Sequence, residues 1–151
     1  MPSKPPISSI GYINIRVFVH ATEDQERVIA AVRNILPLGL RENAVFKTTQ
    51  LTGHHGNPIT LVETELTERP KLINVLEKIG QNLTSLDKET LTSELKLHLE
   101  KGNLYLRFDK QQAFLGQLRF SSNDPIHLQI HFRNKTPDEI VDICREAGLL
   151  P

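Results

Sequence analysis

A chain of 151 residues with a 38% apolar share and no tryptophan fits one globular domain, long enough to bury roughly 70% of its unfolded surface. Eighteen Lys and Arg residues balance eighteen Asp and Glu residues, so whole-chain charge points to neither nucleic acid nor membrane, and any attraction must come from local asymmetry. The lone Cys144 excludes a disulfide or a cysteine-based zinc site within the chain; its helix-like surroundings mark it as a small buried hydrophobe.

No apolar run nears the ~20 residues that a membrane span needs. Met1 to Pro6 lacks the apolar middle of a secretory signal. The expectation is a cytoplasmic protein with a short disordered leader over residues 1–6 and one domain over 7–151.

Ile10 to His20 alternates: Ile13, Ile15, Val17 and Val19 fall on one side, and Asn14, Arg16 and His20 on the other, with Phe18 as the exception. Thr22 with Gln25 has capping-box spacing and opens a helix whose stripe is Val28, Ala31, Val32 and Ile35. Pro37 and Gly39 end it.

Two extended runs follow, Ala44 to Leu51 and Ile59 to Leu66, joined by Gly53-His54-His55-Gly56-Asn57-Pro58. Glycines allow positive φ or close backbone approach, and Asn57 is driven out of the helical region by Pro58, so this stretch is a hairpin turn. Thr67 caps the next helix, with Leu72, Leu76 and Ile79 as its stripe and Gly80 as its stop.

Residues 81–100 support two readings. Ser85 or Asp87 could cap a helix with Leu91, Leu95 and Leu99 buried; alternatively Leu95, Leu97 and Leu99 alternate as a strand before a Lys101-Gly102-Asn103 turn. The helix is favoured. Three strands are then expected: Leu104, Leu106 and Phe108; Phe114, Leu118 and Phe120; and Ile126, Leu128, Ile130 and Phe132. Thr136-Pro137-Asp138-Glu139 starts a last helix carrying Ile140, Ile143 and Ala147. The order β-α-β-β-α-α-β-β-β-α has links too short for parallel crossovers, which implies an α+β two-layer domain with a largely antiparallel sheet and helices on one face.

With the helices on the apolar side, the opposite face carries Asn14, Arg16, His20, Tyr105, Arg107, Gln117, Arg119, His127, Gln129, His131 and Arg133, with Asp109 as the only acid among these strand positions. That is a mildly basic face bearing one aromatic; a merely solvated face is the competing reading. No metal or other cofactor is expected. His127 and His131 lie roughly 13 Å apart along a strand, and the side chains of His54 and His55 tend to diverge. Walker loop, nucleophile elbow and clustered carboxylates are all missing.

Two segments resemble a known family, the archaeal RNA-binding proteins described as predicted exosome subunits with a double-stranded-RNA-binding-domain-like fold. One runs from His20-Ala21-Thr22-Glu23-Asp24 through the following helix to Gly53-His54-His55-Gly56-Asn57-Pro58-Ile59. The other is Asn103-Leu104-Tyr105-Leu106-Arg107-Phe108-Asp109-Lys110-Gln111 with Ala113, Gly116 and the strand to Phe132. The resemblance implies a compact RNA-binding domain without assigned catalysis. It also supports a helix within 81–100, where Leu-Lys-Leu-His alternation departs from the more charged pattern expected.

The leading expectation is therefore a non-enzymatic RNA-binding protein, with structured, ribosomal or tRNA-like RNA as partner and an RNA-processing complex as its setting. Arg107, Arg119 and Lys110 would neutralise phosphates; Tyr105, His54, His55, Asn57 and Gln111 would stack on or hydrogen-bond to RNA. The alternatives are an assembly subunit of a larger ribonucleoprotein, and an RNA hydrolase using His54 or His55 as general acid–base with Lys110 steadying phosphate.

Overall fold

The computed structural model describes residues 9–151; the expected disordered leader at 1–6 lies outside them. A six-stranded sheet, entirely antiparallel, forms in the order β2-β3-β1-β6-β5-β4. Its strands are β1 (Ile10–His20), β2 (Lys47–Thr52), β3 (Pro58–Leu66), β4 (Leu99–Glu100), β5 (Asn103–Phe108) and β6 (Ile126–Phe132). The helices are α1 (Gln25–Ile35), α2 (Leu38–Arg41), α3 (Arg69–Asn82), α4 (Ser85–Glu94), α5 (Lys110–Phe114) and α6 (Pro137–Glu146).

β1 lies centrally because its helix-facing residues, Ile13, Ile15, Val17 and Val19, are all buried. They share one core with the predicted stripe of α1 and with Leu72, Val75, Leu76 and Ile79 of α3. Each such fully buried aliphatic side chain stabilises the fold by roughly 1.5–3 kcal/mol. Cys144 is buried in the same core. The α6 start is the full capping box, with Thr136 Oγ1 accepting from Glu139 N and Glu139 Oε1 accepting from Thr136 N.

Several boundaries move. Asp24, not Thr22, caps α1 by accepting from Glu26 N, while Glu23 turns back to accept from His20 N. Glu68, without a side-chain cap bond, precedes α3 in place of Thr67. Gly80 is interior to α3, where it lets α6's end approach: a Cβ there would run into the Gly148 carbonyl.

Over 81–100 the favoured helix forms, although its cap is Thr84 rather than Ser85 or Asp87, and the alternative strand through Leu95, Leu97 and Leu99 does not, since only Leu99 of the three is in a strand. α4 buries Leu91; a 3-10 turn over Leu95–His98 follows, then the two-residue strand β4. Lys101 and Gly102 take φ of 51° and 81°, the two positive values of a type I′ hairpin turn.

The expected strand through Phe114, Leu118 and Phe120 is not a strand. Asp109 Oδ1 accepts from Gln112 N and caps α5; past its end, Gly116 turns the chain with φ 82°. Only a single bridge, Phe108 to Phe120, remains of the expected pairing. Local capping outcompetes an alternation of only three apolar residues.

Candidate nucleic-acid interface

Directly opposed residues in antiparallel strands share a face, so register alone composes the open side of the sheet. Across five strands, Lys47 opposes Glu63, Glu63 opposes Arg16, Arg16 opposes His127, and His127 opposes Arg107. One step along, Glu65, Asn14, Gln129 and Tyr105 form the neighbouring row. Together these residues line a trough on the sheet. The expectation that Asp109 is the only acid among the strand positions of this face is corrected: β3 contributes Glu63 and Glu65, opposite Arg16 and Asn14.

The amides and His131 in and beside the trough are linked across strands. Asn14 Nδ2 donates to Gln129 Oε1 at 3.4 Å, Gln129 Nε2 donates to Asn103 Oδ1 at 3.2 Å, and His131 Nδ1 lies 2.9 Å from the same oxygen. His131 also stacks on Tyr12, with ring centroids 4.7 Å apart. This chain fixes the Gln129 carboxamide beside Tyr105, whose ring stays partly exposed.

His127 is the electrostatic marker of the site. Burial, then the guanidiniums of Arg16 and Arg107, hold it below the ordinary value of 6.5, with Asp124 acting weakly the other way. Desolvation is the larger cause, and the two arginines add like-charge repulsion against the imidazolium. Among the described residues, Arg16 and Arg107 enter no ion pair.

The other expected cations are committed elsewhere. Arg119 Nε lies 3.2 Å from Asp87 Oδ2, which also accepts from Phe120 N, tying the α5–β6 connection to α4. Lys110 Nζ donates to Phe18 O at 2.6 Å, to Glu23 Oε1 at 3.0 Å and to Asp124 Oδ2 at 2.8 Å, and its side chain is only 11% exposed. His20, Glu23 and Asp124 bring metal-capable atoms within 4.8 Å of one another; the Lys110 ammonium sits on both carboxylates and supplies the positive charge there.

The Gly53–Pro58 turn is a hairpin as expected, closed by Gly53 N donating to Asn57 O at 2.6 Å, with His55 at φ 60°. His54's side chain lies outside what the structure describes. His20 opposes Ile59 and Arg107 opposes His127, so the turn, the Lys110 cluster and exposed Gln111 share one end of the sheet. Tyr105 and Arg107 are the two expected contacts that fall together in the trough; Arg16, His127, Gln129 and Asn14 join them there. Those four are recognisable in the sequence as one face of alternating strands, but only strand order makes them neighbours of Tyr105 and Arg107.

Comparison with known proteins gives consistent matches. A family model described as RNA binding matches residues 12–132. The chain is 36% identical over 121 residues to the RNA-binding protein PAB1135 of Pyrococcus abyssi, covering 78% of this chain and 79% of that one. Two solved structures are similar throughout. Mth689, a DUF54 protein of Methanothermobacter thermautotrophicus, matches with TM-score 0.74 and 31% identity over 95% of this chain and 99% of that one. AF2318 of Archaeoglobus fulgidus matches with TM-score 0.76 and 26% identity over 91% and 99%.

Proposed function

The chain belongs to the RNA-binding family, and from that premise we propose that it is a non-catalytic RNA-binding protein whose open sheet face holds RNA during RNA processing or exosome-related work. The observation that carries this reading is the pair of exposed arginines, Arg16 and Arg107, flanking His127 and engaged by no carboxylate among the described residues. Guanidiniums in this state are available for bidentate contact with phosphate oxygens. Tyr105 supplies a stacking surface one row away, and the tethered Gln129 and Asn14 amides supply hydrogen bonds to base edges or 2′-hydroxyls.

The roles of the remaining expected residues follow from their surroundings. Lys110 ties the start of α5 to the β1–α1 link and to the connection before β6 through Glu23 and Asp124, Arg119 ties the α5–β6 connection to α4 through Asp87, and both act on RNA by holding those segments in place. The turn residues His54, His55 and Asn57, with Gln111, are peripheral contacts at the far end of the sheet.

Titration with structured and unstructured RNA across a salt series tests this proposal. Affinity should fall steeply with salt, because each neutralised phosphate releases counterions. Absence of binding at low salt, or binding indifferent to salt, overturns it.

A further inference from the structure

The trough carries a second kind of feature, independent of its arginines: its lips are apolar and uncovered. Val45, just ahead of edge strand β2, is 81% exposed; Leu97, just ahead of edge strand β4, is 84% exposed; both line the trough. A ligand lying across the strands therefore meets an aliphatic side chain at each side, with the part-exposed ring of Tyr105 between them.

Duplex RNA has little to offer such a surface. Its bases are stacked inward, and its accessible minor groove displays 2′-hydroxyls between two lines of phosphate. A single strand exposes base faces, which stack on aromatic rings and cover aliphatic side chains, and base edges, which pair with amides.

Charge placement agrees. Glu63 separates Lys47 from Arg16 in the first row, and Glu65 lies beside Asn14 in the second. Two phosphate lines across this face would press one of them against carboxylates. A single strand can set its phosphates over Arg16 and Arg107 and turn bases towards the acids, which accept hydrogen bonds from exocyclic amino groups.

We infer that the open sheet face is a single-stranded RNA site, crossed by the strand from the Val45 lip to the Leu97 lip, with one base stacked on Tyr105 and its phosphate between Arg16 and Arg107. This inference rests on the reading of the face as an RNA surface, and the experiment separates the two.

The full chain is titrated with a labelled unstructured ten-nucleotide RNA, and with the same strand annealed to its complement, using wild type, Tyr105→Ala and Tyr105→Phe. Thermal unfolding of each variant is recorded in parallel. Single-stranded RNA should bind at least about tenfold more tightly than the duplex. Tyr105→Ala should weaken single-strand binding about tenfold, as expected for loss of one stacked base, while Tyr105→Phe restores the affinity. Equal or tighter duplex binding, or a Tyr105→Ala variant with unchanged single-strand affinity, overturns the inference and leaves the RNA-binding reading standing. Binding of neither RNA at low salt overturns both.

Discussion

The Lys110 ammonium lies 2.8 Å from the Asp124 carboxylate, joining the first residue of α5 to the connection that leads into β6. Glu23, between β1 and α1, takes the same ammonium at 3.0 Å, so three separate chain segments meet on one nitrogen. The carboxylates are about one-third exposed, at 30% and 40%, so the pairing is screened less than a surface bridge and more than a buried one. Lys110→Met should therefore destabilise by about 2 kcal/mol in urea denaturation. Lys110→Met combined with Asp124→Asn should lose less than the sum of the two single changes.

Arg107→Gln should weaken RNA binding about tenfold. It should also flatten the slope of log affinity against log salt by about 0.7 if the RNA is single-stranded. Arg16→Gln should behave alike. Arg119→Gln, which removes a bridge to Asp87 remote from the trough, should leave the salt slope unchanged. Affinity measured over a fourfold salt range for each variant checks all three.

His127 links binding to pH. Because its folded pKa lies below the usual 6.5, the unfolded chain takes up its proton first as pH falls. Stability from this group is intact above about 6.5 and declines as pH drops through that value towards the lower folded one. A phosphate between the arginines opposes their effect and raises the pKa, so binding takes up a proton and strengthens on acidification. Each unit of rise is worth about tenfold in affinity at pH below both values. His127→Gln should abolish that component, as read from RNA affinity at pH 7.5 and 5.5.

Gly80 tests the helix packing. Gly80→Ala places a methyl against the Gly148 carbonyl, at the junction of α3 and the end of α6. It should cost roughly 1–3 kcal/mol as overpacking, seen as a lowered thermal midpoint. Cys144 reports the same region: fully buried, with its thiol pushed up to about 12 by burial, it should resist thiol reagents in the native state and react only on unfolding.

These residues also show where the fold and the site are legible in sequence. β1, β6 and α6 can be read directly, since two of them alternate over many residues and the third carries a complete capping box. Lys110–Phe114 cannot, because its capping pair, Asp109 and Gln112, reads as a short polar link between two alternating runs, Leu104 to Phe108 and Phe114 to Phe120. The trough is only half legible. Periodicity assigns Tyr105, Arg107, Arg16 and His127 to a polar face, but strand order and register place them side by side and bring Glu63 and Glu65 among them. The commitment of Lys110 to Glu23 and Asp124 spans 87 and 14 residues of sequence, and no local pattern encodes such a contact.

Ultraviolet crosslinking of the full chain to RNA, followed by mapping of the crosslinked peptides, tests the assignment of RNA to the open sheet face most directly. Crosslinks should concentrate on the β5 peptide containing Tyr105 and Arg107 and on the β1 and β6 peptides containing Arg16 and His127. Crosslinks confined to α1, α3 and α6, on the opposite side of the sheet, would contradict it.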